Sequence, residues 1–348
     1  MNLLSPFGWL YGQAANVRNA MYDRGLFSSH SLGVRTISIG NITAGGTGKT
    51  PLVALVAGIL AKNGENVCIL TRGYGRRNPN ERVLVSDGQN VLVDARTGGD
   101  EPVELALKLI GKALVVADAD RVTAAKWALE KFSVTTFVLD DGFQHRRAKR
   151  DLDIVCIDAT NPFGGGKVLP AGRLREPVEN LRRANAVVVT RSNLVESTDE
   201  IVSVVRNLDK EIEIFGASNA SCNILKLEDF LEDSARLENY GDDEYFQFVA
   251  GALLFCALGN PENLLTQLQN ENFGLGGIHK FPDHHFYTQA DIRLVEAEAR
   301  NLGCKGLLTT AKDAVKLHRL ELTLPCFVVL SEPEINDPQR FSKLINAS

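Results

Sequence analysis

The sequence predicts an α/β protein of two domains built on mostly parallel sheets and preceded by an amphipathic helix. Three observations lead there. Short runs that are apolar throughout, such as "FVLD" and "DIVCID", alternate with longer runs of helical period, the pattern of strands covered on both faces by helices. The glycine-rich stretch "NITAGGTGKTPLV" falls between a strand-like run and a helical one. Near residue 220 the alternation gives way to the polar, acidic "LEDFLEDSARLENYGDDEYF" and then restarts, which divides the chain into a domain at 1–220 and a smaller α/β domain at 221–348.

The elements follow in order. Within residues 1–24, Leu3, Phe7, Leu10, Ala14, Val17 and Met21 share one helical stripe, flanked by Trp9 and Tyr11. Such rings suit a membrane–water interface, and Arg18 and Arg24 suit anionic head groups. The alternative is a helix docked by that stripe on its own domain. "RTISIG" is the first strand and "PLVALVAGILAKNG" a helix stopped at Gly64. "NVCILTRGYGRR" is a strand with a basic loop, and "RVLVSDG" with "NVLVD" a hairpin. "EPVELALKLIG" and "VTAAKWALEK" are helices on either side of the strand "ALVVADADR". "TTFVLDDGFQHRR" is a strand running into a polar loop, and "LDIVCIDA", "NAVVVTR" and "EIEIF" are further strands. In the second domain "FVAGALLFCALG" is a strand, "NPENLLTQLQNE" a helix, and "GGIHKFPDHHFYTQADIRLVEAEARNLG" a loop and a helix. "GLLTTAKDAVKLHRL" and "LPCFVVLS" complete it.

Composition narrows the function. The chain has 348 residues, 44% apolar, and a net charge of −5, which argues against a whole-surface field for nucleic acid. Cys68, Cys156, Cys222, Cys256, Cys304 and Cys326 show no C-x-x-C spacing and mostly sit in apolar runs, as buried reduced thiols do. No run reaches the ~18 apolar residues of a membrane span. The N-terminus lacks the basic start of a signal peptide.

In the glycine-rich stretch, Thr43, Ala44, Gly45, Gly46, Thr47, Gly48, Lys49 and Thr50 read as a phosphate-binding loop. Backbone N–H groups at a helix N-terminus would cradle the phosphates, Lys49 would reach the terminal ones, and the Thr50 hydroxyl would bind magnesium. Thr43 stands where the pattern has glycine. The strand ending in Asp140 and Asp141 supplies the acidic partner that orients the metal. Together they predict ATP and Mg2+ as cofactors; "TTAKD" has the wrong spacing for a guanine motif. Arginine-bearing loops (Arg72, Arg76, Arg77, Arg121, Arg146, Arg147, Arg173, Arg175) suggest an anionic acceptor.

Motifs "GGTGKTP", "RGYGR", "GDEP", "DDGFQHR", "RDLDIV", "PAGRLREP", "FPDHH" and "TTAKDAVKL" occur in that order from Ser38 to Leu317, and in this the chain resembles the tetraacyldisaccharide 4′-kinases, the lipid A 4′-kinases. The resemblance implies two α/β/α domains facing a cleft, the first a P-loop NTPase fold. It implies transfer of the γ-phosphoryl of ATP to the 4′-hydroxyl of a tetraacyl glucosamine disaccharide 1-phosphate. It implies peripheral attachment to the cytoplasmic face of the inner membrane of a Gram-negative bacterium, with no nucleic acid and no obligate protein partner. Residue by residue, Lys49 and Thr50 match the phosphate and metal positions, and Asp140 and Asp141 the acidic pair. Asp100 matches the general base and His284 its partner. Arg72, Arg121, Gln144, His145, Arg175 and Glu176 match polar residues that line the site or meet the substrate, Arg175 with a catalytic role. Read without the family, Asp100 is also a good N-cap for the following helix, and Asp283 a cap beside two solvated histidines. A P-loop ATPase switch, a metal-insertion chaperone and a soluble small-molecule kinase are the rival readings.

Overall fold

The computed structural model describes residues 4–219, 222–232 and 251–347. The chain divides into two compact units, residues 1–72, 120–219 and 333–348 in one, and 73–119 with 220–332 in the other. The sequence expectation assigned 73–119 to the first domain and 333–348 to the second; contacts group both the other way. The loop, hairpin, helix and strand read in 73–119 give no sign of that change of partner. Leu3 and residues 233–250, which include most of the expected acidic connector and the start of "FVAGALLFCALG", lie outside the described residues.

The first unit holds strands β1 (Arg35–Asn41), β2 (Val67–Thr71), β5 (Thr136–Asp140), β6 (Leu152–Asp158), β7 (Ala186–Thr190), β8 (Glu213–Asn219) and β14 (Pro333–Ile335). Their order is β14-β8-β7-β6-β1-β5-β2, parallel except for β14 at the edge. Strands β2, β5, β6 and β7 are buried at every position, so both faces are covered and the apolar runs need no alternation. The register sets Ile39 of β1 beside Asp140 of β5 and Asp158 of β6 beside Thr190 of β7. The carboxyl ends of four adjacent strands therefore fall together, where ligands of parallel sheets bind.

The second unit pairs β3 (Val83–Ser86) antiparallel with β4 (Ala113–Ala117). The expected hairpin is present in short form: Ser86 bridges Val91, and Leu92 donates to the Val85 carbonyl. A five-stranded sheet follows, in the order β11-β10-β12-β13-β9, from β9 (Asn223–Lys226), β10 (Leu253–Cys256), β11 (Gly277–Lys280), β12 (Leu307–Thr310) and β13 (Cys326–Leu330). Strand β11 lies in a stretch the sequence reads as loop, because two glycines and a half-exposed surface hide it.

Helix α1 (Ser5–Asp23) packs on the first unit, but not by its apolar stripe. Its inward face is Gly8, Gly12 and Asn19. A Cβ on Gly8 would meet Ala171 Cβ and the Val168 carbonyl at 2.7 Å, so glycine is what allows the approach. Phe7, Trp9, Leu10, Tyr11 and Val17 point outward, Phe7 61% and Trp9 65% exposed. The helix is docked, then, by its small residues, and the stripe that would have docked it is left free.

Candidate active site

Helix α2 (Lys49–Lys62) begins directly after the glycine-rich loop, with Gly48 at its N-cap in left-handed backbone (φ 76°). Gly45 is also left-handed, at φ 117°. The loop is shaped from all sides. The Asn41 amide donates to the Thr43 carbonyl at 2.7 Å and to Thr47 Oγ1 at 2.9 Å. Thr190 Oγ1 donates to the Thr47 carbonyl, and Arg191 NH1 to the Gly46 carbonyl, both at 3.0 Å. Thr43 forms an antiparallel bridge with Leu174, flanked by Ala44 N–H to the Arg173 carbonyl and Arg175 N–H to the Ile42 carbonyl. That bridge explains the missing glycine: position 43 is buried backbone pairing with "GRLRE", and a threonine serves it well.

Asp140 and Asp141 stand at the end of β5. Asp140 is buried and accepts a hydrogen bond from Thr71 Oγ1 at 2.8 Å, while its carbonyl accepts from Arg121. Asp141, left-handed at φ 54°, is held by Arg175 NH1 at 2.7 and 2.8 Å and faces Lys49 Nζ at 3.6 Å. Burial and the neighbouring Asp141 charge raise the Asp140 carboxyl above the usual range. Burial pushes Asp141 the same way, but Lys49 and Arg175 outweigh it and hold that group low. Gln144 bonds the Asn41 carbonyl and Glu176. Glu176 is buried and spoken for by Asn19, Gln144 and Arg183. Burial and Arg121 push the His145 imidazole down to about 4, so it is neutral near pH 7. Arg72 is exposed at the end of β2.

Asp100 and His284 meet inside the second unit. Asp100 is the first residue of the helix Asp100–Lys108, and its N-cap is Gly99, so the capping alternative does not hold. Asp100 is 3% exposed, and its Oδ2 accepts from His284 Nδ1 at 2.8 Å. Asp283 does not cap either; the helix Gln289–Asn301 has its own capping box, Thr288 with Asp291. Asp283 instead pairs with Lys312 at 3.1 Å, and Lys312 Nζ lies 3.4 Å from His284 Nε2. Lys316 Nζ lies 3.9 Å from Asp100 and 2.7 Å from the fully buried Asp313. Burial raises Asp100, yet the His284 hydrogen bond and the Lys312 charge outweigh it and hold the carboxyl below the usual range. The same bond raises the His284 imidazole against burial.

Lys312 and Arg191 escaped sequence reasoning. "TTAKD" is weighed there as a base motif and counted among the family motifs with no role for its lysine, and Arg191 only as the residue ending a strand. Backbone strain marks candidate positions in each unit instead. Of four non-glycine residues with left-handed φ among the described residues, three are Asp141, Arg191 and His284. Such backbone persists where the surroundings over-determine it, and it clusters at functional sites.

The first unit is thus the nucleotide-binding half of a P-loop phosphotransferase. A family model for tetraacyldisaccharide-1-P 4′-kinases matches residues 1–348. The tetraacyldisaccharide 4′-kinase of Syntrophus aciditrophicus is 35% identical over 99% of this chain and 91% of its own length. That of Anaeromyxobacter dehalogenans is 39% identical over 87% and 78%. A crystal structure of LpxK from Aquifex aeolicus in complex with ATP superposes with a TM-score of 0.77 at 30% identity, covering 98% of this chain and 97% of that one. The chain belongs to the tetraacyldisaccharide 4′-kinase family, ATP-dependent kinases of lipid A biosynthesis.

Proposed function

We propose that this chain phosphorylates the 4′-hydroxyl of a tetraacyl glucosamine disaccharide 1-phosphate, with Asp100 as the base and the phosphate loop as the ATP cradle. The observation that carries the residue roles is the buried Asp100, kept ionised by His284 and Lys312. An ionised carboxylate can orient and accept the hydroxyl proton as the bond to phosphorus forms. His284 holds that carboxylate and shares the charge it gains. Residues 43–50 hold the phosphates through backbone N–H groups, and Lys49 neutralises charge on the terminal ones. Arg175 faces the same charge from the "PAGRLREP" side.

Magnesium fits the donors present. Asp140 and Asp141 are adjacent hard oxygen donors, and Thr50 adds a hydroxyl at the start of α2. These three residues would hold the ion, which would supply positive charge against the phosphates. Arg121 fixes the acidic turn through the Asp140 carbonyl, while Arg72 is free to meet an anionic substrate.

A tetraacylated acceptor stays in a bilayer, so the enzyme must come to it. The exposed face of α1, with Trp9, Tyr11 and Phe7, suits attachment to the cytoplasmic surface of the inner membrane of a Gram-negative bacterium. No helix among the described residues is long and apolar enough to cross a membrane. The test is transfer of label from γ-labelled ATP to the disaccharide in detergent micelles, beside a tube without lipid. Label on the lipid is the expected result. Free phosphate in both tubes with unlabelled lipid would leave an ATPase switch as the better reading.

A further inference from the structure

Asn19 is the one polar residue that α1 buries, 3% exposed, while the apolar stripe faces out. Its amide donates to Glu176 Oε2 at 3.0 Å. Glu176, 1% exposed, also accepts from Arg183 at 3.0 Å and from Gln144 Nε2 at 2.8 Å. That Gln144 amide donates as well to the carbonyl of Asn41, where β1 ends and the phosphate loop begins, at 2.7 Å. Its oxygen faces Arg175 NH1 at 3.4 Å, and Arg175 grips both oxygens of Asp141. Three more bonds tie the same helix to the loop after Asp141: Arg18 to the Gln144 carbonyl at 3.1 Å, Arg146 to the Asn19 carbonyl at 2.8 Å and Arg146 to Asp23 at 2.7 Å.

A membrane anchor requires none of this. An amphipathic helix holds lipid with its apolar face, and any solvated underside would do. Here the underside delivers a hydrogen-bond donor to a buried carboxylate, and another of that carboxylate's donors, Gln144, is bonded to Asn41 where the phosphate loop begins. In a low-dielectric interior linked hydrogen bonds strengthen one another, so removing one member weakens the rest. We propose that Asn19 and Glu176 are positioning residues: through Gln144 they hold Arg175 and Asp141 in place for phosphoryl transfer, so that the membrane helix is also part of the nucleotide site's frame. The inference rests on the roles given above to Arg175 and Asp141.

Asn19→Leu removes the donor while keeping the helix and its exposed face. In the micelle assay, at saturating ATP and lipid, kcat should fall about 10- to 100-fold with KM for lipid and binding to phospholipid vesicles unchanged, the signature of misplaced reacting groups. Asn19→Asp tests the bond itself. Two carboxylates would then face each other, and a shared proton would restore the contact. The ratio of its kcat to that of the wild type should therefore rise as pH falls. Thermal unfolding separates loss of fold from loss of geometry; should Asn19→Leu not fold, the pH dependence of the Asn19→Asp ratio decides. A wild-type kcat in Asn19→Leu, with only lipid KM or vesicle binding altered, would make Asn19 part of an anchor and nothing more. So would a pH-independent ratio in Asn19→Asp. A wild-type enzyme that transfers no label to lipid would instead fail the kinase reading, before either variant is compared.

Discussion

Asp140 and Asp141 lie side by side at the end of β5, whereas Asp100 accepts from His284 and neighbours Lys316, with Lys312 beyond the imidazole. In the first pair burial and the neighbouring carboxylate raise Asp140, while Lys49 and Arg175 hold Asp141 low. At Asp100 the His284 hydrogen bond and the Lys312 charge outweigh burial and hold the carboxyl low. Asp140 ends a strand, Asp100 opens a helix, and both are buried. Their surroundings suit one to gather a cation and the other to stay ionised and take a proton. The residue type sets what is available, and the neighbours decide the chemistry.

The largest expected effect removes the cation that serves the paired site. Lys49→Ala should cut kcat about 1000-fold, on the scale of losing one preorganised charge partner, with the thermal midpoint near that of the wild type. Asp100→Asn keeps the shape and removes the base. It should lower kcat about 100-fold or more while ATP affinity, measured by titration calorimetry, stays as it was. A loss confined to ATP affinity would put Asp100 in the wrong half of the comparison.

The sequence states much of the paired site plainly, since loop, lysine and acidic pair each sit at the end of a legible strand. The Asp100 site was legible only by resemblance. Asp100 reads equally well as a helix cap, and nothing local separates the two; what does is a contact with His284, 184 positions away. Lys312 was hidden for the same reason. Asp158 is likewise read only as the end of a strand, until the β6–β7 register brings it to Thr190 and Arg191. The stripe on α1 is easily found, but its direction is not. Periodicity marks a face without saying what it meets, and Gly8 and Gly12 look like helix defects until Val168 and Ala171 are seen against them.

A smaller effect belongs to that stripe. Trp9→Ser with Leu10→Ser should weaken vesicle binding about tenfold or more, because two exposed apolar groups no longer enter the interface. Vesicle sedimentation gives the answer directly, and unchanged binding would mean that the stripe meets something other than lipid.

The smallest effect reads the electrostatics of the Asp100–His284 pair through stability. Asp100 is depressed below its ordinary 3.8, so its contribution is present above that pH and is lost as pH falls through its folded value. His284 is raised above its ordinary 6.5, so its contribution is full below that pH and is lost as pH rises through its folded value. The ion pair therefore stabilises most between 3.8 and 6.5 and weakens on the alkaline side. His284→Gln keeps a donor but no charge. Its thermal midpoint should lie below that of the wild type by on the order of 2–4 °C within that window, and the gap should close toward alkaline pH. A gap that widened with pH would mean that His284 is neutral beside Asp100, and that Lys312 and Lys316 alone keep the base ionised.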